Sequence, residues 1–287
     1  MTSHTAATAP LSRDIRIGPL TVDRLGEAVS LSRQAQWPHR LEDWALVLAQ
    51  SRGLAALDGE RLVGTALATP FGADGATVNM VLVDESLRGR GIGRLLMDRA
   101  LAAVEGREQR LIATREGLPL YEKLGFRRVG DIVQHQGPVP GVAGTDGRIA
   151  WDVEPQAIAS LSPLDRMATG FDRATMLAAL AAVGRVAVLR QDGTIRGFAV
   201  LRAFGRGEVV GPVVAQTTAE AKALVEAAFA RCTSGFVRVD TPDPALGTWL
   251  AERGLPAVGG GVAMVRHAQP RQTSSFQTYA LASQALG

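Results

Sequence analysis

The sequence contains little cysteine and few aromatic residues. Cys232 is the only cysteine among 287 residues, which excludes an internal disulfide framework and a cysteine-rich metal site. We therefore expect a small core residue at this position, a reducing cytoplasmic environment and no bound metal. Aromatic residues make up 5% of the chain, and the arginines are spread along it. Because base stacking needs clustered aromatics beside basic residues, we do not expect nucleic-acid binding.

Long apolar runs are also missing. No segment approaches the ~20 uninterrupted apolar residues that a membrane span needs. Residues 1–14 lack the basic start and the apolar stretch of a signal peptide, and we expect them to form an irregular tail. The chain is therefore expected to be soluble, cytoplasmic and without membrane contact. Hydrophobic residues make up 46% of it, and its length suffices for about two domains.

The two halves of the chain show the same order of predicted elements. Apolar periodicity and turn residues predict β-α-α-β-β-β-α-β-α-β in each half. Matching segments such as "GLAALDGERLVG" and "RVAVLRQDGTIRG" lie roughly 130 residues apart, which is too long for a solenoid repeat and indicates a duplicated domain. We predict a first copy over residues 15–140 and a second copy over residues 148–287. Residues 141–147, which are rich in glycine, are the predicted linker.

Glycine and arginine are concentrated in "SLRGRGIGRLLMDRALAAVEG", residues 86–106. The first turn of a helix leaves backbone N–H groups unpaired and carries partial positive charge, so it attracts phosphate. Glycines at 89, 91 and 93 let the backbone come close to an oxyanion, and arginines at 88, 90 and 94 raise the local potential. Neither a P-loop nor the dinucleotide fingerprint G-x-G-x-x-G is present here.

The pattern R-x-x-G-x-G from Arg88 to Gly93 resembles the pyrophosphate loop of the GNAT superfamily of acyl-CoA-dependent N-acyltransferases. The preceding strand "MVLVD" and the later element "YEKLGF", which begins at Tyr121, stand at the places expected in that family. The predicted element order is also the family's own. The resemblance covers residues from about Ile15 to Gln136, and it implies an α/β fold in which each copy is a mostly antiparallel, twisted mixed sheet flanked by helices.

The resemblance implies that acetyl-CoA donates an acetyl group directly to a primary amine, which we expect to be a small molecule. Seven loop residues would hold the pyrophosphate: Arg88, Gly89, Arg90, Gly91, Ile92, Gly93 and Arg94. Val81, Leu82 and Val83 would pair with the pantetheine arm and polarise the thioester carbonyl, which is oxyanion-type stabilisation. Tyr121 stands at the position of the acid that protonates the CoA thiolate.

The general base and the acceptor site have several candidates. Many family members carry a glutamate on the central strand, where this chain has Asn79. Candidates by residue type are His39, Glu42, Asp43 and His135, together with a base that acts through water; each residue is also common in capping, paired or surface roles. Trp37, His39, Asp43 and Trp44 lie between the first two helices, where this family builds its acceptor site, and could surround an amine by cation–π and charge contacts. The alternative is core tryptophans and an acidic pair at a helix N-terminus.

The second copy has lost the chemistry of the first. Its corresponding stretch "QTTAEAKALV" has neither glycine nor arginine; Thr217 or Thr218 is expected to cap the helix, and Glu220 in the first turn would repel phosphate. Leu250 stands where the first copy has Tyr121. We predict that this copy does not bind CoA. The layout resembles bacterial tandem GNAT proteins of the YitH-like kind, whose second domain is divergent. A non-catalytic acyl-CoA sensor or scaffold is the alternative function, and the oligomeric state stays open.

Overall fold

The computed structural model describes residues 15–142, 144, 146–151 and 158–287. The chain divides into two compact units. The first unit comprises the described residues up to Thr69 together with Val78–Glu105, and the second comprises the described residues of Pro70–Thr77 and Gly106–Gly287. The predicted linker falls partly outside the described residues. None of the described helices is long and apolar enough to cross a membrane.

The described part of the first unit is a sheet in the order β1-β2-β3-β4 with three α-helices. Its elements are β1 Ile15–Pro19, α1 Leu25–Gln34, α2 Leu41–Ala49, β2 Arg52–Asp58, β3 Arg61–Phe71, β4 Gly75–Val83 and α3 Ile92–Ala102, with β3 and β4 running on into the second unit. Helix α3 buries Ile92, Leu96 and Ala100 at four-residue spacing. Gly64 on β3 permits close packing, because a Cβ there would come within 3.0 Å of both Leu82 O and Leu96 Cδ1.

The second unit contains the remaining elements. They are β5 Glu108–Ala113, α4 Leu118–Lys123, β6 Arg127–Pro138, β7 Ile149–Trp151, α5 Ser162–Thr169, α6 Ala174–Val183, β8 Gly184–Gln191, β9 Thr194–Phe204, β10 Gly207–Ala215, α7 Thr218–Arg231, β11 Phe236–Thr241, α8 Pro244–Glu252, β12 Ala257–Arg266 and β13 Gln277–Ala280. The predicted order of elements is confirmed in both copies, and so is the mixed, mostly antiparallel sheet with flanking helices. The additional strand β13 was not predicted.

The closing strands of the two copies are exchanged. The sequence repeat by itself assigns β6 to the first copy and β12 to the second. In the sheet, β12 pairs antiparallel with β5, as in Val262 with Ala113, and β6 pairs antiparallel with β11, as in Val237 with Gly137. β6 and β12 also pair with each other, so the order is β5-β12-β6-β11. Each penultimate strand is therefore completed by the closing strand of the other copy.

The close approach of β12 to β6 depends on a glycine. Gly260 has φ +147°, and a Cβ at this position would overlap Ile132 O on β6. Gly259, its neighbour, has nothing within 4 Å of a Cβ. The two adjacent glycines therefore differ in whether they tolerate a side chain.

We predict that Gly260→Ala lowers the free energy of unfolding by roughly 2 kcal/mol or more, because the new methyl group strains the backbone and collides with β6. Gly259→Ala is the matched control and should change stability little. Urea denaturation of both variants measures the difference. Equal midpoints for the two variants would show that β12 does not rely on this close approach.

Candidate functional site

Strand β4 is distorted in its middle. Met80 has φ +49°, an uncommon conformation for a residue other than glycine. Its carbonyl oxygen accepts a hydrogen bond of 2.7 Å from Thr65 Oγ1 on β3. The regular pleat is thus interrupted directly before Val81, Leu82 and Val83, the three residues predicted to contact pantetheine. Nothing in the sequence pattern marked Met80, because the distortion is a property of the backbone.

Asn79 lies on β4, at the position where many members of the resembled family carry a glutamate. Its Nδ2 donates to Thr69 Oγ1 at 2.8 Å, and Thr69 Oγ1 lies 2.6 Å from Ser51 Oγ. The side chain is buried. An amide in such a network positions groups by hydrogen bonding, but it cannot take up a proton at neutral pH as a carboxylate can.

The glycine–arginine loop leads into the N-terminus of α3. Gly91 is the N-cap residue with φ +84°, and Gly89 has φ +78°, so both lie in the left-handed region that favours glycine. The N–H of Leu95 donates to Gly91 O at 3.0 Å and forms the first hydrogen bond of the helical ladder. The N–H groups of Ile92, Gly93 and Arg94 precede that bond and have no partner within the helix. The loop therefore has the geometry predicted for an anion site.

Two charged residues at this loop, Arg94 and Asp84, have defined partners. Arg88, Arg90 and Arg94 are exposed, and Arg94 Nε donates to Asp98 Oδ1 at 3.0 Å. Before the loop, Asp84 accepts hydrogen bonds from Ser86 Oγ at 2.6 Å and from Arg61 Nη1 at 2.9 Å.

The bonds from Ser86 hold the pKa of the Asp84 carboxyl below its ordinary value, and the charge of Arg61 adds to the effect. Asp84 therefore fixes the start of the loop in ionised form. Sequence reasoning missed this residue, although an Asp directly after a strand is a typical turn signal.

Tyr121 lies on α4 in the second unit and is 8% exposed. Its ring packs edge-on against Phe126, with centroids 6.2 Å apart. A Cβ at Gly117 would lie 2.7 Å from Tyr121 Cε2, so the glycine makes room for the ring. Burial raises the pKa of Tyr121 to about 12. The phenol is therefore protonated at neutral pH, as a proton donor must be.

Two of the predicted acceptor residues have structural roles. Trp44 is fully buried, and its Nε1 donates to Ser32 Oγ at 2.9 Å. Asp43 is buried and accepts from both the backbone N–H and the guanidinium of Arg40, at 2.9 Å each, which caps α2. These two residues follow the alternative interpretation, core tryptophan and helix cap.

Trp37 and His39 remain candidates. Their rings lie 5.8 Å apart and are partly exposed. They line a depression of about 520 Å³ in the first unit, together with Arg33 and Leu41. A contact of these residues with the acceptor stays a prediction.

The other two candidates for a base differ in exposure. His135 is buried on β6, and its Nδ1 lies 2.8 Å from Leu255 O. This ring belongs to the core of the second unit, which removes it from the bases that a substrate could reach. Glu42 is exposed in the first turn of α2.

The N-terminus of α7 in the second copy is occupied by its own carboxylate. The Thr217 hydroxyl accepts from Glu220 N at 3.2 Å, and Glu220 Oε2 accepts from Thr217 N at 2.9 Å, which forms a capping box. Arg196 Nε donates to Glu220 Oε1 at 2.8 Å. Thr217 is thus confirmed as the cap, and the position that corresponds to the predicted anion site of α3 is filled.

The cleft between β10 and β11 is filled as well. These strands pair in parallel only near Glu208 and Val209. Beyond that point, β13 pairs antiparallel with β10 from Val213 to Ala215. Tyr279 O on β13 accepts from Thr241 Oγ1 on β11 at 2.6 Å. A segment of the chain itself therefore lies in the cleft, and Leu250, at the position that corresponds to Tyr121, is fully buried in the core.

Comparison with known proteins assigns the family. Residues 49–128 and residues 161–280 each match a family profile described as acetyltransferase (GNAT) domain. The chain carries two GNAT acetyltransferase domains in tandem. The more divergent copy is thus recognisably a GNAT domain in its own right, as the repeated element order predicted.

This tandem GNAT protein has relatives over most of its length. The uncharacterised N-acetyltransferase YitH of Bacillus subtilis is 27% identical over 269 residues, which cover 90% of this chain and 93% of YitH. A candidate acetyltransferase of Pyrococcus horikoshii has a similar fold, with a TM-score of 0.81 at 19% identity, over 99% of this chain and all of that one. A tandem GNAT protein from the clavulanic acid biosynthesis pathway matches at a TM-score of 0.62 and 16% identity, over 90% of this chain and all of that one.

We predict that Glu220→Gln destabilises the protein by about 1–2 kcal/mol at pH 7 but by less in acid. Burial favours the neutral carboxyl, but hydrogen bonds from Arg196 and Thr217 outweigh it and hold the pKa of Glu220 below its ordinary value of 4.5. A depressed pKa contributes stability above pH 4.5 that is lost as the pH falls through the folded-state value. Urea midpoints between pH 7 and pH 3 test this, with the exposed Glu252→Gln as control. A difference that does not shrink in acid contradicts an ionised cap.

Proposed function

We propose that this protein is an acetyl-CoA-dependent N-acetyltransferase that acts on a primary amine of a small molecule, with the donor site in the first copy. One observation carries the proposal: a distorted β4 is followed by a helix N-terminus whose glycines at 89 and 91 adopt positive φ. The family assignment adds the reaction class. The second copy contributes no donor site in this proposal, because its own carboxylate and β13 occupy the corresponding positions.

The pyrophosphate binds at the N-terminus of α3 in this proposal. The N–H groups from Gly89 to Arg94 donate hydrogen bonds to the phosphate oxygens, and the helix dipole adds partial positive charge. Arg88 and Arg90 are exposed and raise the potential around the loop. The three arginines contribute mainly by attraction in solution, whereas the glycines contribute by allowing contact with the backbone.

The pantetheine arm lies along Val81, Leu82 and Val83. An extended ligand can pair with the backbone N–H and C=O groups of a strand, as an added strand would. The distortion at Met80 turns the strand just before these residues. A backbone N–H of this segment then donates to the thioester carbonyl oxygen and stabilises the negative charge that develops there.

The transfer step forms one bond and breaks one. The amine nitrogen attacks the carbonyl carbon of the thioester, a C–N bond forms, and the C–S bond breaks. The amine loses one proton and the departing thiolate of CoA gains one. Asn79 cannot accept the proton from the amine, and in this proposal that proton passes to water. Tyr121 supplies the proton or a strong hydrogen bond to the thiolate.

The pKa of Tyr121 sets a condition on that role. A phenol with a pKa of about 12 is a weaker acid than a thiol in water, whose pKa is ~8.5. Burial raises the pKa of a thiol too, because it disfavours the thiolate. Proton transfer from Tyr121 therefore requires that the sulfur be shielded from water, which is the state that a bound pantetheine arm produces.

We predict that Gly91→Val weakens acetyl-CoA binding by roughly 100-fold or more. The valine side chain displaces the loop, and the displaced loop loses its charge-assisted hydrogen bonds to phosphate. Gly59→Val is the matched control. Gly59 also has positive φ, at +59°, but lies in the β2–β3 turn. Calorimetric titration with acetyl-CoA measures both variants. Undiminished affinity in Gly91→Val, or an equal loss in Gly59→Val, would remove the loop from the donor site.

We predict that Tyr121→Phe lowers kcat by roughly 10²–10⁴-fold while acetyl-CoA affinity is unchanged, because only the hydroxyl is lost. Tyr279→Phe is the control: Tyr279 is the other tyrosine of the chain and is buried in the second copy. CoA release with a panel of primary amines measures the rate. Acetyl-CoA binding without CoA release from any amine, in the unmodified protein, would favour the sensor or scaffold instead.

A further inference from the structure

The second unit contains a cavity of about 570 Å³ that none of the steps above uses. This size suits a small-molecule ligand. Its walls come from both copies: β3, β4 and β5 contribute Phe71, Thr77, Arg110 and Ile112, the segment around α5 and α6 contributes Thr169, Phe171 and Arg173, and the chain beyond β12 contributes Arg271, Thr278 and Leu281.

The cavity lies beside the parallel ladder of β4 and β5. That ladder runs over three pairs, from Gly75 with Glu108 to Thr77 with Arg110. Thr77, Arg110 and the following Ile112 all line the cavity. The chain continues from Thr77 directly into the stretch of β4 that is proposed to hold the thioester. Thr77 and the residues proposed to hold the thioester thus belong to the same strand.

One wall of the cavity carries an excess of positive charge. Glu108 Oε1 accepts from Arg110 Nε and from Arg271 Nη2, at 2.8 Å each. Two guanidinium groups thus share one carboxylate, which leaves one positive charge in excess. Glu108 Oε2 accepts from Gln269 N at 2.8 Å, so this carboxylate is already well supplied with donors.

Phe171 holds the two arginines in place. Its ring lies 4.1 Å from Arg110 Cζ and 4.9 Å from Arg271 Cζ, both measured to the ring centroid. Both guanidiniums also donate to Thr169 O. Each uses two of its five N–H donors in the bonds named here, and each side chain is about one-third exposed. The cluster of Arg110, Arg271 and Phe171 is therefore a preorganised site for a carboxylate.

Arg173 does not belong to this excess. Its guanidinium donates to Asp165 Oδ1 at 2.6 Å and Oδ2 at 2.8 Å, and also to Gly287 O at 2.8 Å. The pair with Asp165 is buried. Arg173 thus organises the wall of the cavity, and the Arg110–Arg271 cluster is left to bind an anion.

Thr278 belongs to the lining of the cavity and carries a buried hydroxyl. Its Oγ1 is buried, and no other atom in the described part of the chain forms a hydrogen bond with it. A buried hydroxyl without a partner is unfavourable in the free protein, by roughly 1–3 kcal/mol. Apolar side chains such as Ile112, Ile132 and Leu281 form much of the remaining lining.

We infer that this cavity binds the acceptor, and that the acceptor is a primary amine with an apolar body and a carboxylate. The inference rests on the proposed acetyltransferase function. The carboxylate binds Arg110 and Arg271, the apolar body lies against Ile112 and Leu281, and Thr278 bonds a polar group of the ligand. Because residues of the second copy form much of the cavity, this assigns that copy a role in choosing the acceptor.

The charge cluster is tested with pairs of amines. One member of each pair is an apolar amino acid, such as phenylalanine, and the other is the same compound without its carboxylate, such as phenethylamine. Calorimetry without acetyl-CoA measures binding, and CoA release measures KM. We expect the carboxylated member of a pair to bind about tenfold more tightly or better. Arg271→Gln should remove this preference and leave the affinity for acetyl-CoA unchanged. Arg166→Gln, an exposed arginine outside the cavity that pairs with Asp74, is the control and should keep the preference.

The outcomes separate the two proposals. Equal affinity for both members of every pair, or a preference that survives Arg271→Gln, overturns the carboxylate site. If other amines are then acetylated, the proposed function stands without it. Carboxylated amines that bind with the expected preference, but cause no CoA release although acetyl-CoA also binds, overturn the acetyltransferase function and the acceptor role with it.

Thr278→Val is a second test, because its two effects have opposite signs. Loss of an unpartnered hydroxyl should raise the Tm of the ligand-free protein by about 2 °C, while the KM for the acceptor rises several-fold. If Thr278 had a purely structural role, its substitution would not raise both the Tm of the ligand-free protein and the KM for the acceptor. Thr241→Val is the control: its hydroxyl donates to Tyr279 O at 2.6 Å, so its loss should lower the Tm. An unchanged acceptor KM in Thr278→Val would remove Thr278 from the site.

Discussion

The exchange of closing strands is the constraint on which the rest of the structure depends. β5 and β11 each have an edge that is completed by a strand of the other copy. Without that strand, a row of backbone N–H and C=O groups would lack partners. Neither half of the duplicated sequence therefore contains a complete sheet. Main-chain hydrogen bonds between strands join the second copy to the first. These bonds do not depend on an anion site in the second copy.

The two copies show how the same local geometry serves opposite purposes. A strand followed by a helix N-terminus offers unpaired N–H donors in both. In the first copy, glycines with positive φ leave these donors open to an anion. In the second copy, Thr217 and Glu220 consume them, and β13 takes the position beside β10. The second copy thus satisfies internally the groups that the proposed donor site of the first copy leaves for a ligand.

The order of the elements and the glycine–arginine loop could be predicted because both are local. A few neighbouring residues are enough to show an apolar period of about 2 residues for a strand or about 3.6 for a helix. The spacing of Gly89, Gly91 and Gly93 is equally local. The choice of strand partner could not be predicted, because β12 reads equally well as a closing strand for either copy. The same limit applies to Trp44 and Trp37: the sequence offers two tryptophans in one segment, and only packing buries the first and leaves the second partly exposed. Thr278 could not be predicted from the sequence, because its buried hydroxyl is notable only for having no hydrogen-bond partner among the described residues.

The strand exchange also has a consequence for synthesis on the ribosome. Ala113 on β5 pairs with Val262 on β12, so β5 is made long before its partner strand. During translation, β5 and β6 leave the exit tunnel long before β12 does, and the nascent chain presents an open strand edge throughout that interval. Such edges are the surfaces at which unfinished chains associate and which chaperones cover. Folding of the first copy is completed only after β12, about 150 residues further along the chain than β5, has been translated.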